Sequence, residues 1–266
     1  MSRRALALAV AVTLLAAACA DDDTGDAAPT TVEPTTTASS PTTNIAPTTT
    51  AAATTAPATT AIPTTTATPA TTVLAGEPIE LFAQSGQVWS VVGVDREDVL
   101  NVRSGPGVDA DIVATLAPTA AGVVTTGRAQ ALSSSIWYEV EVDGVAGWVN
   151  IAFLALPGVV TDETAAVEAA LGALPVAETL VDLGTATAAV FASDEPASDV
   201  VVSVAPTIGD LGEITIDVMG LGDDAQVGWR LRLFAVEDEA GEFFTLRTVE
   251  AVTLCGRGVT DDLRCT

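Results

Sequence analysis

Two carboxylates can cleave a glycosidic bond, two cysteines can lock a loop, and facing arginines can hold an anion. This chain carries candidates for each. Acids are abundant, 35 against 10 basic residues, and a pair of them suffices for glycoside hydrolysis. None, however, sits where the flanking pattern implies burial or pairing. Asp223-Asp224 and Asp261-Asp262 lack the alternating ligand spacing of a calcium loop, so they read as solvated turn acids. Cys255 and Cys265 are too few ligands for zinc; in an oxidising compartment they read as a disulfide closing a short loop. Arg230, Arg232 and Arg247 lie in strand-like segments. A symmetric hairpin about Glu237–Glu242 would set Arg232 beside Arg247, and like charges facing each other are costly. With Asp217 and Glu250 available, ion pairs on a wet sheet face are expected, a small anion site being the alternative. Every basic residue is arginine, and histidine is absent. That excludes Ser-His-Asp, Cys-His, lysine-assisted serine and histidine-bearing zinc mechanisms. The sequence therefore predicts no enzyme, no catalytic residue, no metal and no cofactor.

Composition sets the frame for these groups. A net charge of −25 argues against nucleic acid, whose phosphates need basic patches, and makes any recognition of anionic wall polymers short-range. Arg3-Arg4 precede an apolar run from Ala5 to Leu15, too short for a typical membrane span, so residues 1–18 read as an export signal. Ala16-Ala17-Ala18 lead into Cys19. The arrangement resembles a bacterial lipobox, which implies a lipidated Cys19 and an extracytoplasmic chain held at the membrane by two acyl chains. Lipidation would also account for the odd cysteine. Residues 19–76 are mostly threonine, proline and alanine in near-repeats such as APTTT, too poor in large apolar side chains to offset the entropy of ordering. A disordered linker is expected, spanning roughly 40 Å as a coil of ~50 residues and open to O-glycosylation.

The next stretch, Val99–Gly107, reads VLNVRSGPG. Leu100 and Val102 alternate with Asn101 and Arg103 as in a half-buried strand, and Ser104-Gly105-Pro106-Gly107 turns the chain. Further on come Trp137-Tyr138-Glu139-Val140, an Asp143-Gly144 hairpin signal, Gly147-Trp148-Val149-Asn150 and the pair Phe153-Leu154. Residues from about Gln87 to Leu154 thereby resemble the bacterial SH3-like (SH3b) family. The resemblance implies an all-β SH3-like barrel over 77–156, of a kind used in cell-envelope proteins, often for wall binding. Strands are expected at Val88–Val94, Leu100–Arg103, Ile112–Leu116, Gly122–Thr126, Trp137–Val142 and Val145–Val149. Asn101 and Arg103 would tie down the turn after them, and Trp148 would enter the core. If Tyr138, Val140 and Val142 face the core, Trp137 stands outside among carboxylates. Trp137 and Tyr138, with Asn101 and Arg103, are the candidate ligand-contacting residues, since aromatics give contact area at low entropic cost.

After Pro157-Gly158 the pattern changes, and residues 159–266 are expected to form an α+β domain with an antiparallel sheet. Thr161 would cap a helix opened by Asp162 and Glu163, carrying Val167, Leu171 and Leu174 and ending at Pro175. Strands follow at Val200–Val204, Ile214–Met219, Trp229–Val236 and Phe243–Leu254. The ending TLCGRGVTDDLRCT is similar to tails of uncharacterised envelope proteins of high-GC Gram-positive bacteria. The reading is a non-enzymatic lipoprotein presenting its SH3-like module to wall peptide, peptidoglycan or an envelope protein. The alternative is an accessory subunit whose acidic C-terminal domain binds a partner while the barrel serves as a spacer. A carboxylate glycosidase is the third.

Overall fold

Alternating apolar and polar residues build most of the described part of this molecule. The computed structural model describes Leu74–Glu80 and Gln84–Thr266, which contain thirteen strands, all antiparallel in their pairings, and two α-helices. The expected signal peptide, the lipidated Cys19 and most of the 19–76 linker lie outside the described residues. Short strands come first: β1 (Glu77–Pro78), β2 (Val88–Val91), β3 (Leu100–Arg103), β4 (Ile112–Leu116), β5 (Ala121–Ala131), β6 (Ile136–Val142), β7 (Val145–Asn150) and β8 (Leu154–Asp162). There follow α1 (Thr164–Leu171), β9 (Val176–Ala177), α2 (Leu180–Ala188) and four long strands. These are β10 (Asp199–Ile208), β11 (Gly212–Met219), β12 (Gln226–Glu237) and β13 (Phe244–Cys255).

The hydrogen-bonded order is β10-β11-β12-β13-β8-β2-β5-β6-β7-β3-β4. Strand β8 belongs to both halves: Leu154 and Ala155 pair with β2, while Val160, Thr161 and Asp162 pair with β13. The boundary expected at Pro157-Gly158 thus falls inside a continuous strand, and the described residues belong to one compact unit. The β6–β7 hairpin turns at Asp143-Gly144, both at positive φ (51° and 78°), as a two-residue hairpin loop demands.

Two main cores result. The first lies among Trp89, Leu100, Val102, Tyr138, Val140 and Val149, and Cys255 enters it, with Val259 and Cys265 packed alongside. Cys255 and Cys265 form a disulfide with an S–S distance of 2.01 Å, a bond that persists in oxidising, extracytoplasmic surroundings. The second core sits between the inner face of β11–β13 and the helices, with Val167, Leu180 and Leu183 opposite Ile214, Ile216, Leu231 and Leu233. Among the described residues no helix is long and apolar enough to cross a membrane.

Both helices depart from expectation. Helix α1 starts at Thr164, because Thr161 and Asp162 complete β8; Asp162 Oδ1 then accepts from the Thr164 amide (3.0 Å) and hydroxyl (2.6 Å). These bonds hold the Asp162 carboxyl below the usual aspartate value. The helix stops at Gly172, three residues short of Pro175, with φ 82°. Helix α2 was not expected, since LVDLGTATA has poor helix propensity. Thr179 caps it, accepting from the Asp182 amide at 3.1 Å, and packing does the rest. A Cβ at Gly184 would lie 2.5 Å from Ile216 Cδ1, so only glycine lets the helix lie this close to β11.

The opposite face of β11 and β12 corrects another expectation. Asp217 and Arg230 do pair, but not in water: Asp217 is fully buried where the first half covers this end of the sheet. Arg230 grips both carboxylate oxygens (2.7 and 2.8 Å) and also donates to Val91 O at 2.7 Å. The Gly93 amide donates to Asp217 Oδ2 at 2.9 Å. Arg232 meets Glu250 at 3.2 Å rather than Arg247: the hairpin loop lies one residue later than expected, at 238–243, which moves the register by two positions, and the shift between Phe234 and Ala235 adds a third.

Candidate functional site

Strands β3, β6 and β7 each present one face to the first core and one away from it. The outward residues are Asn101 and Arg103, Trp137 and Glu139, and Trp148 and Asn150; cross-strand pairing sets Trp137 opposite Asn150, and Glu139 and Arg103 opposite Trp148. This outward face is not bare. Trp137 is 4% exposed and Trp148 2%, so the expectation of a tryptophan standing free among carboxylates is corrected. Arg128 lies over the Trp148 ring, and Val108 of the loop from Ser104 to Asp111 lines one cavity with Trp137. Arg103 Nη1 donates to Ala110 O at 2.8 Å and the Ser104 amide to Asp111 O at 2.8 Å, which folds the loop back. A Cβ on Gly107 would lie 3.4 Å from Leu132 Cδ1, placing that loop against the β5–β6 turn. Arg103 therefore ties down its turn, as its position in the motif implied. Trp148 is buried on the outward side, not in the core.

Tyr138 is the second correction. It points inward, fully buried, with its ring edge-on to Trp89 at 5.8 Å between centroids. Neighbours in one strand face opposite ways, so Trp137 and Tyr138 cannot form one platform.

Three of the four candidates do share a place. Asn101, Arg103 and Trp137 line a groove of about 250 Å³ together with Asn150, Val108 and Phe153. Asp95 and Asp98 also line it. The groove is fixed by local bonds. Trp137 Nε1 donates to Ser135 Oγ (2.9 Å), Asn150 Oδ1 accepts from the Ala152 amide (3.0 Å), and Asp95 and Asp98 accept from the Glu97 and Val99 amides (2.9 and 2.7 Å). Beside it, Glu139 takes Arg128 at 2.6 Å and Thr126 at 2.7 Å, and the Arg128 guanidinium lies 5.4 Å from the Trp148 ring centre.

The chemistry on offer is recognition: Trp137, Asn101, Arg103 and the carboxylates of Asp95 and Asp98 line one groove. Such a set suits a ligand bearing both charge signs, as a peptide does. Among the described residues no cluster of three or more acids or cysteines is placed to hold a metal. Sequence reasoning passed over Asp95, Asp98, Asn150 and Phe153. Alternation from Trp148 already put Asn150 on the groove face, but nothing in the pattern told where the Asp95–Asp98 loop would fold. No protein-family model matches this chain, and neither does any curated protein or solved structure compared with it.

Proposed function

We propose that this is a non-enzymatic envelope lipoprotein, anchored through Cys19, whose SH3-like module takes wall peptide into the groove at Asn101, Arg103 and Trp137. The observation that carries the reading is convergence. Residues 101, 103 and 137, singled out on two separate motifs, line one cavity together with Asp95 and Asp98. A stem peptide with free amine and carboxyl groups would meet Asp95 and Asp98 with the one and Arg103 with the other. The Cys255–Cys265 disulfide supports placement outside the cytoplasm.

The test is co-sedimentation of the full-length chain with purified sacculi at moderate salt. Trp137 is too deeply packed to truncate safely, so the variants are Asn101→Ala, half-buried, and Phe153→Ala, which is 37% exposed. Binding by the wild type, reduced about tenfold in the double variant, is the expected result. A wild type that stays in the supernatant, or a double variant that binds equally, overturns the reading.

A further inference from the structure

A larger cleft opens where the two halves meet, about 830 Å³ in volume. That is the size of a site for a small ligand or a few residues of peptide. Its floor is apolar: Leu132, Ile136 and Ile151 come from the first half, Met219, Leu221 and Val227 from the second. The lip is acidic, with Asp199, Asp223 and Asp224 all exposed to solvent. Asp223 accepts from the amides of Ala225 (2.7 Å) and Gln226 (3.1 Å), which keeps its carboxyl below the usual aspartate value and so ionised. No lysine, arginine or histidine is among the lining residues, but Arg257 reaches Asp224 from beside the cleft at 2.8 Å, so Asp199 and Asp223 carry the charge offered to a ligand. The walls are held together below: Met219 and Val227 pack against Val92, Ala155 and Leu254, and the Asp217–Arg230 pair bonds to Val91 and Gly93.

We infer that this cleft is a second binding site, which takes a short cationic amphipathic peptide segment of a partner protein, its apolar side chains on the floor and its basic ones at the Asp199–Asp223–Asp224 lip. Charge selects the occupant. An acidic or polyanionic ligand would be repelled by the lip and by the whole −25 chain, whereas an apolar floor of this extent rewards a ligand with bulky side chains. The site is distinct from the groove at Asn101, although Asn150 borders both.

The experiment is a fluorescence-anisotropy titration of the full chain into a dye-labelled, end-capped hexapeptide of alternating leucine and arginine. Saturable binding is expected, at least about tenfold tighter than for the same peptide with glutamate in place of arginine or serine in place of leucine. Two variants locate it. Ser134→Arg puts a repelling charge on an exposed lining position, and Asp199→Asn with Asp223→Asn removes two lip charges; each should weaken binding at least about fivefold. Asn101→Ala should leave it unchanged, so that failure here and failure of the wall-binding reading are read separately. Absence of saturable binding overturns the inference. So does equal affinity for the serine–arginine peptide, which would mean general attraction to an acidic surface, and so do lining variants that bind like the wild type.

Discussion

Arg230 and Arg232 stand on the same face of β12, two positions apart, each paired with a carboxylate on a neighbouring strand. Their surroundings differ completely. The Arg230 pair lies under the first half of the molecule, Asp217 showing no exposed surface; the Arg232 pair is open, with side-chain exposures of 53% and 40%. What separates them is the cover supplied by β2 and the turn at Gly93. At the covered end the charges cannot reach water, so each group must be satisfied by protein. Asp217 and Arg230 achieve this through four hydrogen bonds that cross between the halves or between strands. At the open end water does the same work, and the pair is optional.

That contrast can be broken experimentally. Asp217→Ala leaves a guanidinium and the Gly93 amide without their partner in a dry site; a loss of about 3–5 kcal/mol is expected in urea unfolding. A loss below about 1 kcal/mol would mean that water reaches the pair and that the two ends are alike. Next in size is Cys265→Ala, or reduction of the wild type. Releasing a loop of sequence separation 10 should cost about 2–3 kcal/mol. Because the tail packs on the first core, tryptophan emission should respond along with the unfolding midpoint. Arg232→Ala should change stability by only about 0.2–1 kcal/mol, and the difference should vanish at high salt. The smallest effect concerns acid. Asp162, Asp223 and Asp262 are held below the ordinary aspartate value of 3.8 by hydrogen bonds from Thr164, from Ala225 and Gln226, and from Thr260. A depressed folded-state pKa stabilises above the unfolded value and is lost as pH falls through the folded one. Stability should therefore decline below about pH 4, and Asp162→Asn should flatten that decline in an acid titration followed by circular dichroism.

Much of this arrangement was legible in residues alone. Asp143-Gly144 announced its hairpin, the long alternating runs announced β11 to β13, and two lone cysteines near one end announced their bond. What escaped had a tertiary cause in each case. Helix α2 hides behind Gly184 and its threonines, a glycine chosen because Ile216 leaves no room for a Cβ; only the Thr179–Asp182 capping pair hinted at it. Trp137 is on the side of its strand that alternation gives, but alternation cannot see what covers that side. Ion pairs for the sheet arginines were legible, with Asp217 and Glu250 as acids, but not that Asp217 would be dry, since its cover comes from residues 124 and 139 positions away. A hairpin loop one residue later than expected, together with one bulge, spoils the hairpin register. Of the groove, the motif residues 101, 103 and 137 were visible, and Asp95 and Asp98 were not.

The return of Cys255, Val259 and Cys265 to the core around Trp89 has a consequence for the order in which the chain is made. A protein delivered N-terminus first through a narrow channel can ordinarily fold one segment while the next is still threading. Here the earliest strands wait for the latest residues. Trp89 and Tyr138 emerge long before the side chains that seal them, and β8 has one of its two neighbours only once β13 has arrived. A truncated or stalled product would leave the core around Trp89 and Tyr138 without the contacts of Cys255, Val259 and Cys265.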